Sequence, residues 1–144
     1  MYRLNVRTIL LAVAVVATGA CSNDTISSLT TPTNPTIFTD TFTGTLSRNG
    51  AFTHSFTTAS LGAVTVTITS LQPNSTQIVG LSLGVWNGSA CSTSPATGGS
   101  SSDTATTGSS ITLNASAAGS LCVRLYDVGF ITDPVLYTFT VSHP

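Results

Sequence analysis

"GAVTVTITS", residues 62–70, alternates without a fault: Val64, Val66 and Ile68 fall on one side, Thr65, Thr67 and Thr69 on the other. Successive side chains of an extended chain leave on opposite faces, so a period of two makes one dry face and one wet face. The β-branched residues that fill both faces suit a pleated surface better than a helix. The segment reads as a strand with its valines in a core.

The same period extends in both directions. "IFTDTFTGTL", residues 37–46, sets Phe38, Phe42 and Leu46 against Thr39, Thr41, Thr43 and Thr45. "AFTHSFT" groups Phe52, His54 and Phe56, and "QIVGLSLGVW" aligns Val79, Leu81, Leu83 and Val85. After a long polar loop from Asn87 to about Gly108, strands resume at "SSITLNA", "SLCVRLYD" and "VLYTFTVS". Leu121, Val123 and Leu125 are in phase there, as are Val135, Tyr137, Phe139 and Val141. Asn49-Gly50 is the strongest short hairpin signal, predicting that the strands flanking it pair. About seven to eight strands and no convincing helix predict an all-β chain. Strict alternation favours two antiparallel sheets packed face to face, with a closed barrel as the alternative.

Composition narrows the function. The chain has 144 residues, of which 41% are hydrophobic and only 6% charged, against about 25% charged in an average globular protein. Its cations are Arg3, Arg7, Arg48 and Arg124, and its acids Asp24, Asp40, Asp103, Asp127 and Asp133. Beyond residue 20 that leaves Arg48 and Arg124 against all five aspartates, so nothing basic remains to neutralise phosphates. Nucleic acid is excluded as a partner on that ground.

"MYRLNVRTILLAVAVVATGAC" opens with two arginines, continues with an apolar run from Ile9 to Ala17, and closes on Thr18, Gly19, Ala20 and Cys21. This is the plan of a secretory signal, and the apolar run is too short for a permanent span, which needs roughly 20 residues. Small residues directly before a cysteine resemble the lipobox of bacterial lipoproteins, with Thr18 standing where that family usually has Leu, Val or Ile. The resemblance implies cleavage before Cys21 and acylation of its thiol and new amino terminus. Ser22 in place of Asp implies the outer membrane, at its periplasmic or surface face. An ordinary cleaved signal with a chance cysteine nearby is the alternative. Residues 1–20 are thus read as signal, 21–36 ("CSNDTISSLTTPTNPT") as a lipid-anchored disordered linker, and 37–144 as the folded domain.

Two further segments, "FTGTLSRNGAFTHSFTTASLGAVTVTI" and "AGSLCVRLYDVG" followed by "YTFTVSHP", resemble the bacterial pre-peptidase C-terminal domain family. The resemblance covers nearly all of residues 38–142. It implies a jelly-roll-like sandwich of the kind that accompanies secreted enzymes without being catalytic.

With Cys21 assigned to lipid, Cys91 and Cys122 form an even pair in an oxidising compartment, so a disulfide is expected; two free thiols or a metal are the alternatives. "GLSLG", residues 80–84, matches the G-x-S-x-G nucleophile elbow in letters. That elbow needs a strand, a sharp turn and a helix, whereas Ser82 falls mid-strand. Its glycines are expected to let neighbouring groups approach closely. His54 is expected to be partly buried and hydrogen-bonded, and His143, near the carboxyl end, to be mobile. Asn74, Asn87 and Asn114 stand in glycosylation sequons, incidental on a bacterial chain.

The candidate ligand-binding residues are Trp86, which could stack on a sugar or cap the core, and the loop aspartates Asp127 and Asp133. No cofactor is expected; calcium held by Asp103, Asp127 or Asp133 is the alternative, although their spacing matches no calcium loop. The reading that results is a monomeric, non-catalytic, lipid-anchored binding or adhesion module for a polymer, glycan or protein. A self-assembling surface subunit and an accessory domain for a secreted hydrolase are the alternatives.

Overall fold

In the computed structural model, which describes residues 34–144, alternation turns into nine strands. They are β1 (Phe38–Leu46), β2 (Ala51–Thr58), β3 (Gly62–Gln72), β4 (Val79–Trp86), β5 (Cys91–Ser92), β6 (Ser100–Ala105), β7 (Ser110–Ala115), β8 (Gly119–Tyr126) and β9 (Val135–His143). A single 3₁₀ turn at Pro95–Thr97 interrupts the series. Two antiparallel sheets result: one in the order β1-β9-β3-β7, the other in the order β2-β8-β4-β5, with β6 also paired to β4. This is a sandwich rather than a closed barrel, and consecutive strands are dealt alternately between its sheets, as in a jelly roll, except that β4, β5 and β6 share one sheet.

That dealing overturns the hairpin expected at Asn49-Gly50. β1 pairs with β9 and β2 pairs with β8, so the turn carries the chain from one sheet to the other. Asn49 takes the left-handed conformation, φ 55°, that asparagine tolerates, and Gly50 N–H closes the turn on Ser47 O at 2.9 Å. Asp127, in the loop after β8, pins it: the carboxylate accepts from Asn49 N–H at 2.8 Å, and Asp127 N–H donates to Gly50 O at 3.0 Å.

The expected loop 87–108 is also corrected, because β5 and β6 lie inside it and both pair with β4. Their serines and threonines carry no alternating apolar face that could have revealed them. They form because β4 offers an unpaired edge and because the chain is clamped. Cys91 and Cys122 are joined by a disulfide with their Cα atoms 5.7 Å apart. Cys122 lies on β8, on the other side of β4, so the segment after Cys91 folds across the outer face of β4. Gly84 makes that crossing possible: a Cβ built there would lie 2.0 Å from Ser92 O and 2.7 Å from Ser92 C. Gly80 does the same for Tyr126, whose Cε2 would be 2.2 Å from an added Cβ. The G-x-S-x-G letters therefore record close approach to a strand.

The core lies between the sheets. Val64, Val66, Ile68, Phe139 and Val141 of the four-stranded sheet face Leu81, Leu83, Val123 and Leu125 of the other, all fully buried. Near its open side, the ring of Phe139 stacks on Phe42 at 5.3 Å and on Tyr137 at 6.0 Å, and meets His54 edge-on at 5.4 Å. Phe38 and Phe52, on the core-facing parity of β1 and β2, remain 52% and 46% exposed because both strands are edges and, among the described residues, nothing beyond them closes the sandwich.

Candidate binding surface

Three polar residues that could do chemistry are fixed in structural contacts. Ser82 is 3% exposed in the middle of β4, with its hydroxyl 3.5 Å from Arg124 O. His54 Nε2 lies 2.8 Å from Tyr137 Oη inside the aromatic cluster. His143 is not mobile: it is 6% exposed, 3.1 Å from Asp40 Oδ2, and packed on Phe56 at 5.3 Å. Pro144 O, accepting from Thr58 Oγ1 at 2.8 Å and Ala59 N–H at 2.9 Å, holds the same segment from the opposite sheet.

Burial lowers the pKa of His54 below 6.5 and raises that of Tyr137. A histidine whose folded pKa is depressed leaves the unfolded chain binding more protons, so its contribution is complete above about pH 6.5 and is lost as pH falls toward the folded value. The midpoint of thermal unfolding should therefore drop from pH 7.5 to pH 5 more steeply in the native protein than in His54→Gln, which does not titrate. Equal slopes would show that His54 carries no such linkage.

The predicted ligand residues do not converge. Gly80 pairs with Tyr126 across β4 and β8, and Trp86 lies six residues further along β4, so Trp86 and Asp127 stand about 20 Å apart at opposite ends of the sheet. Trp86 is half-buried, neither sealed in the core nor fully free. Asp127 accepts from four backbone N–H groups: Asn49, Gly129 at 2.7 Å, Phe130 at 3.1 Å and Ile131 at 3.2 Å. Burial alone would raise its pKa; those four donors outweigh it and hold the carboxyl below its ordinary range. Asp133 is exposed and 3.2 Å from the Thr132 hydroxyl. Asp103 accepts a short hydrogen bond from Tyr126, whose pKa is pushed up to about 12 by burial and then by that carboxylate, while Arg124, 5.0 Å over the ring, opposes the shift. Among the described residues, no three His, Cys, Asp or Glu side chains gather as a metal site would require. Cys21 lies outside the described residues.

No known family model matches this chain, and no curated protein matches it.

The wet half of the strand alternation forms a continuous surface. The outer face of the four-stranded sheet carries Thr39, Thr41, Thr43 and Thr45 from β1, and Leu136, Thr138, Thr140 and Ser142 from β9. β3 adds Thr65, Thr67, Ser70 and Gln72, and β7 adds Ser110, Thr112 and Asn114. No charged side chain interrupts it. Strand pairing sets these groups in rows about 4.8 Å apart across the sheet and about 6.7 Å apart along it. A groove of about 340 Å³ opens at the Thr45 end, where the register of β3 against β9 shifts between Ile68 and Ser70. The signal was present as the second half of every alternation, Thr-x-Thr-x-Thr, but nothing in a single strand says that four such strands lie side by side.

Proposed function

We propose that this chain is a non-catalytic β-sandwich displayed on a bacterial envelope by lipid on Cys21, where it binds or adheres to a polymer, glycan or protein. The observation that carries the binding reading is the broad uncharged hydroxyl face, open to solvent on a rigid sheet. The buried mid-strand position of Ser82 supports the non-catalytic part, because a nucleophile must reach its substrate. Anchoring rests on the Gly19-Ala20-Cys21 pattern: two or three acyl chains, at about 0.8 kcal/mol per buried methylene, hold a protein stably where one chain does not. Cys21→Ser should abolish labelling by an alkyne-palmitate analogue and move the protein from the detergent phase to the aqueous phase. Unchanged partitioning would defeat the anchor.

A second reading has one observation in its favour. β1 is an edge strand of nine residues with no proline and no cation to blunt it, the kind of edge on which another copy can pair. A self-assembling subunit would give light scattering that grows with concentration; a binding module would remain monomeric.

A further inference from the structure

We infer that the groove at the Thr45 end of the four-stranded sheet is a subsite for a neutral glycan chain. This inference rests on the binding reading above and gives it a place and a ligand chemistry.

Two cross-strand rows line the groove. Thr43, Thr138 and Ser70 make one, and Thr45, Leu136 and Gln72 the other, with Gly44 and Tyr137 between them. Five of the six outward side chains are hydroxyls or an amide, each able to donate and to accept a hydrogen bond. The sixth, Leu136, is 56% exposed. None is charged.

Side-chain hydrogen bonds engage only part of this face. Toward β7, hydroxyls satisfy one another: Thr65 with Thr112 at 3.2 Å and Thr67 with Ser110 at 2.7 Å. In the groove, among the described residues, no side-chain hydrogen bond engages Thr43, Thr45, Ser70, Gln72 or the Thr138 hydroxyl. The nearest contact of this kind is Thr69 Oγ1 to the Thr138 backbone carbonyl at 3.1 Å, which leaves that hydroxyl free. A paired hydroxyl has committed part of its capacity, whereas these five present all their donors and acceptors together.

A sugar ring has the matching chemistry: hydroxyls around its rim that both donate and accept, and a C–H face that lies against an aliphatic side chain such as Leu136. Anionic polymers and phosphates would find no cation here to offset their desolvation. A peptide chain would seek unpaired backbone, which lies along the outer edge of β1 and not on the face where the groove opens. A groove of this volume is within the range of small-ligand sites and is open enough for a polymer to pass through.

The test uses the full chain in detergent micelles, run in native gels containing a soluble β-1,3-glucan, a mannan or dextran, with heparin and alginate as anionic comparators. At least one neutral polysaccharide should retard the protein, and high salt should not relieve the retardation. Leu136→Asp and Gln72→Ala should each weaken it about tenfold, the scale of one lost apolar contact or hydrogen bond, while Thr53→Ala, exposed on β2 of the other sheet, leaves it unchanged. Circular dichroism melts establish that the variants fold. Retardation that ignores both groove variants, or that only the anionic polymers produce, overturns the glycan groove and leaves a binding module with its site elsewhere. Retardation by none of the polymers, together with concentration-dependent oligomers, overturns the groove and the binding reading alike.

Discussion

Phe139→Ala should lower the unfolding free energy by about 4 kcal/mol, the middle of the range for removing a buried aromatic ring. Phe139 is fully buried and touches three strands besides its own. Its partners across the ladders are Phe42 on β1 and Ile68 on β3, and its ring meets His54 on β2 of the opposite sheet. Few neighbours can relax into the space, because Phe42 and Tyr137 are themselves stacked on the ring being removed. A denaturant titration should therefore show the transition midpoint moving far toward lower concentration with an unchanged slope. A loss below about 1 kcal/mol would mean that the aromatic cluster is not what joins the two sheets on this side.

The second large effect lies at the opposite edge. Replacing Cys91 and Cys122 together by alanine should cost roughly 3 to 4 kcal/mol on the chain-entropy estimate for a loop of this length. The bridge spans 31 positions, and for a domain of this size the loss corresponds to roughly 15 °C in Tm. The bridge also holds the crossing segment against Gly84, so the double variant should lose hydrogen-exchange protection first in β5 and β6. Those strands have few apolar contacts to replace it: of their residues only Ala105 is fully buried. Full retention of protection there would show that pairing with β4 is enough by itself.

These two sites divide differently between sequence and structure. Phe139 was legible as core from "VLYTFTVS", because the alternation that places it inward is a local property of an extended chain. The disulfide was legible as an expectation from cysteine number and the signal-like amino terminus, but its consequence, a strand folded across the outer face of β4, was not. β5 and β6 were missed for a physical reason. Both are short and rich in Ser and Thr, and pairing with β4 rather than burial of an apolar face makes them strands. The Asn49-Gly50 turn misled for a related reason. Turn chemistry specifies a reversal over four residues, but whether the two arms pair or part into separate sheets depends on β8 and β9, some 70 or more residues away, and on Asp127 pinning the turn. His143 was misjudged because nearness to an end is only a guide to mobility; Asp40 and Phe56, distant in sequence, supply the contacts that hold it.

By itself the sequence determined which residues face inward, since period two needs no partner to be read. It determined the all-β class and the chemical blandness of a chain with so few charges, and it made Cys91 with Cys122 the expected pair. Tertiary structure alone decided most neighbours, because every strand pairing except those of β4 with β5 and β6 joins distant parts of the chain. That decision turned scattered Thr-x-Thr pairs into one continuous face, and left five groove side chains with their full hydrogen-bonding capacity to offer.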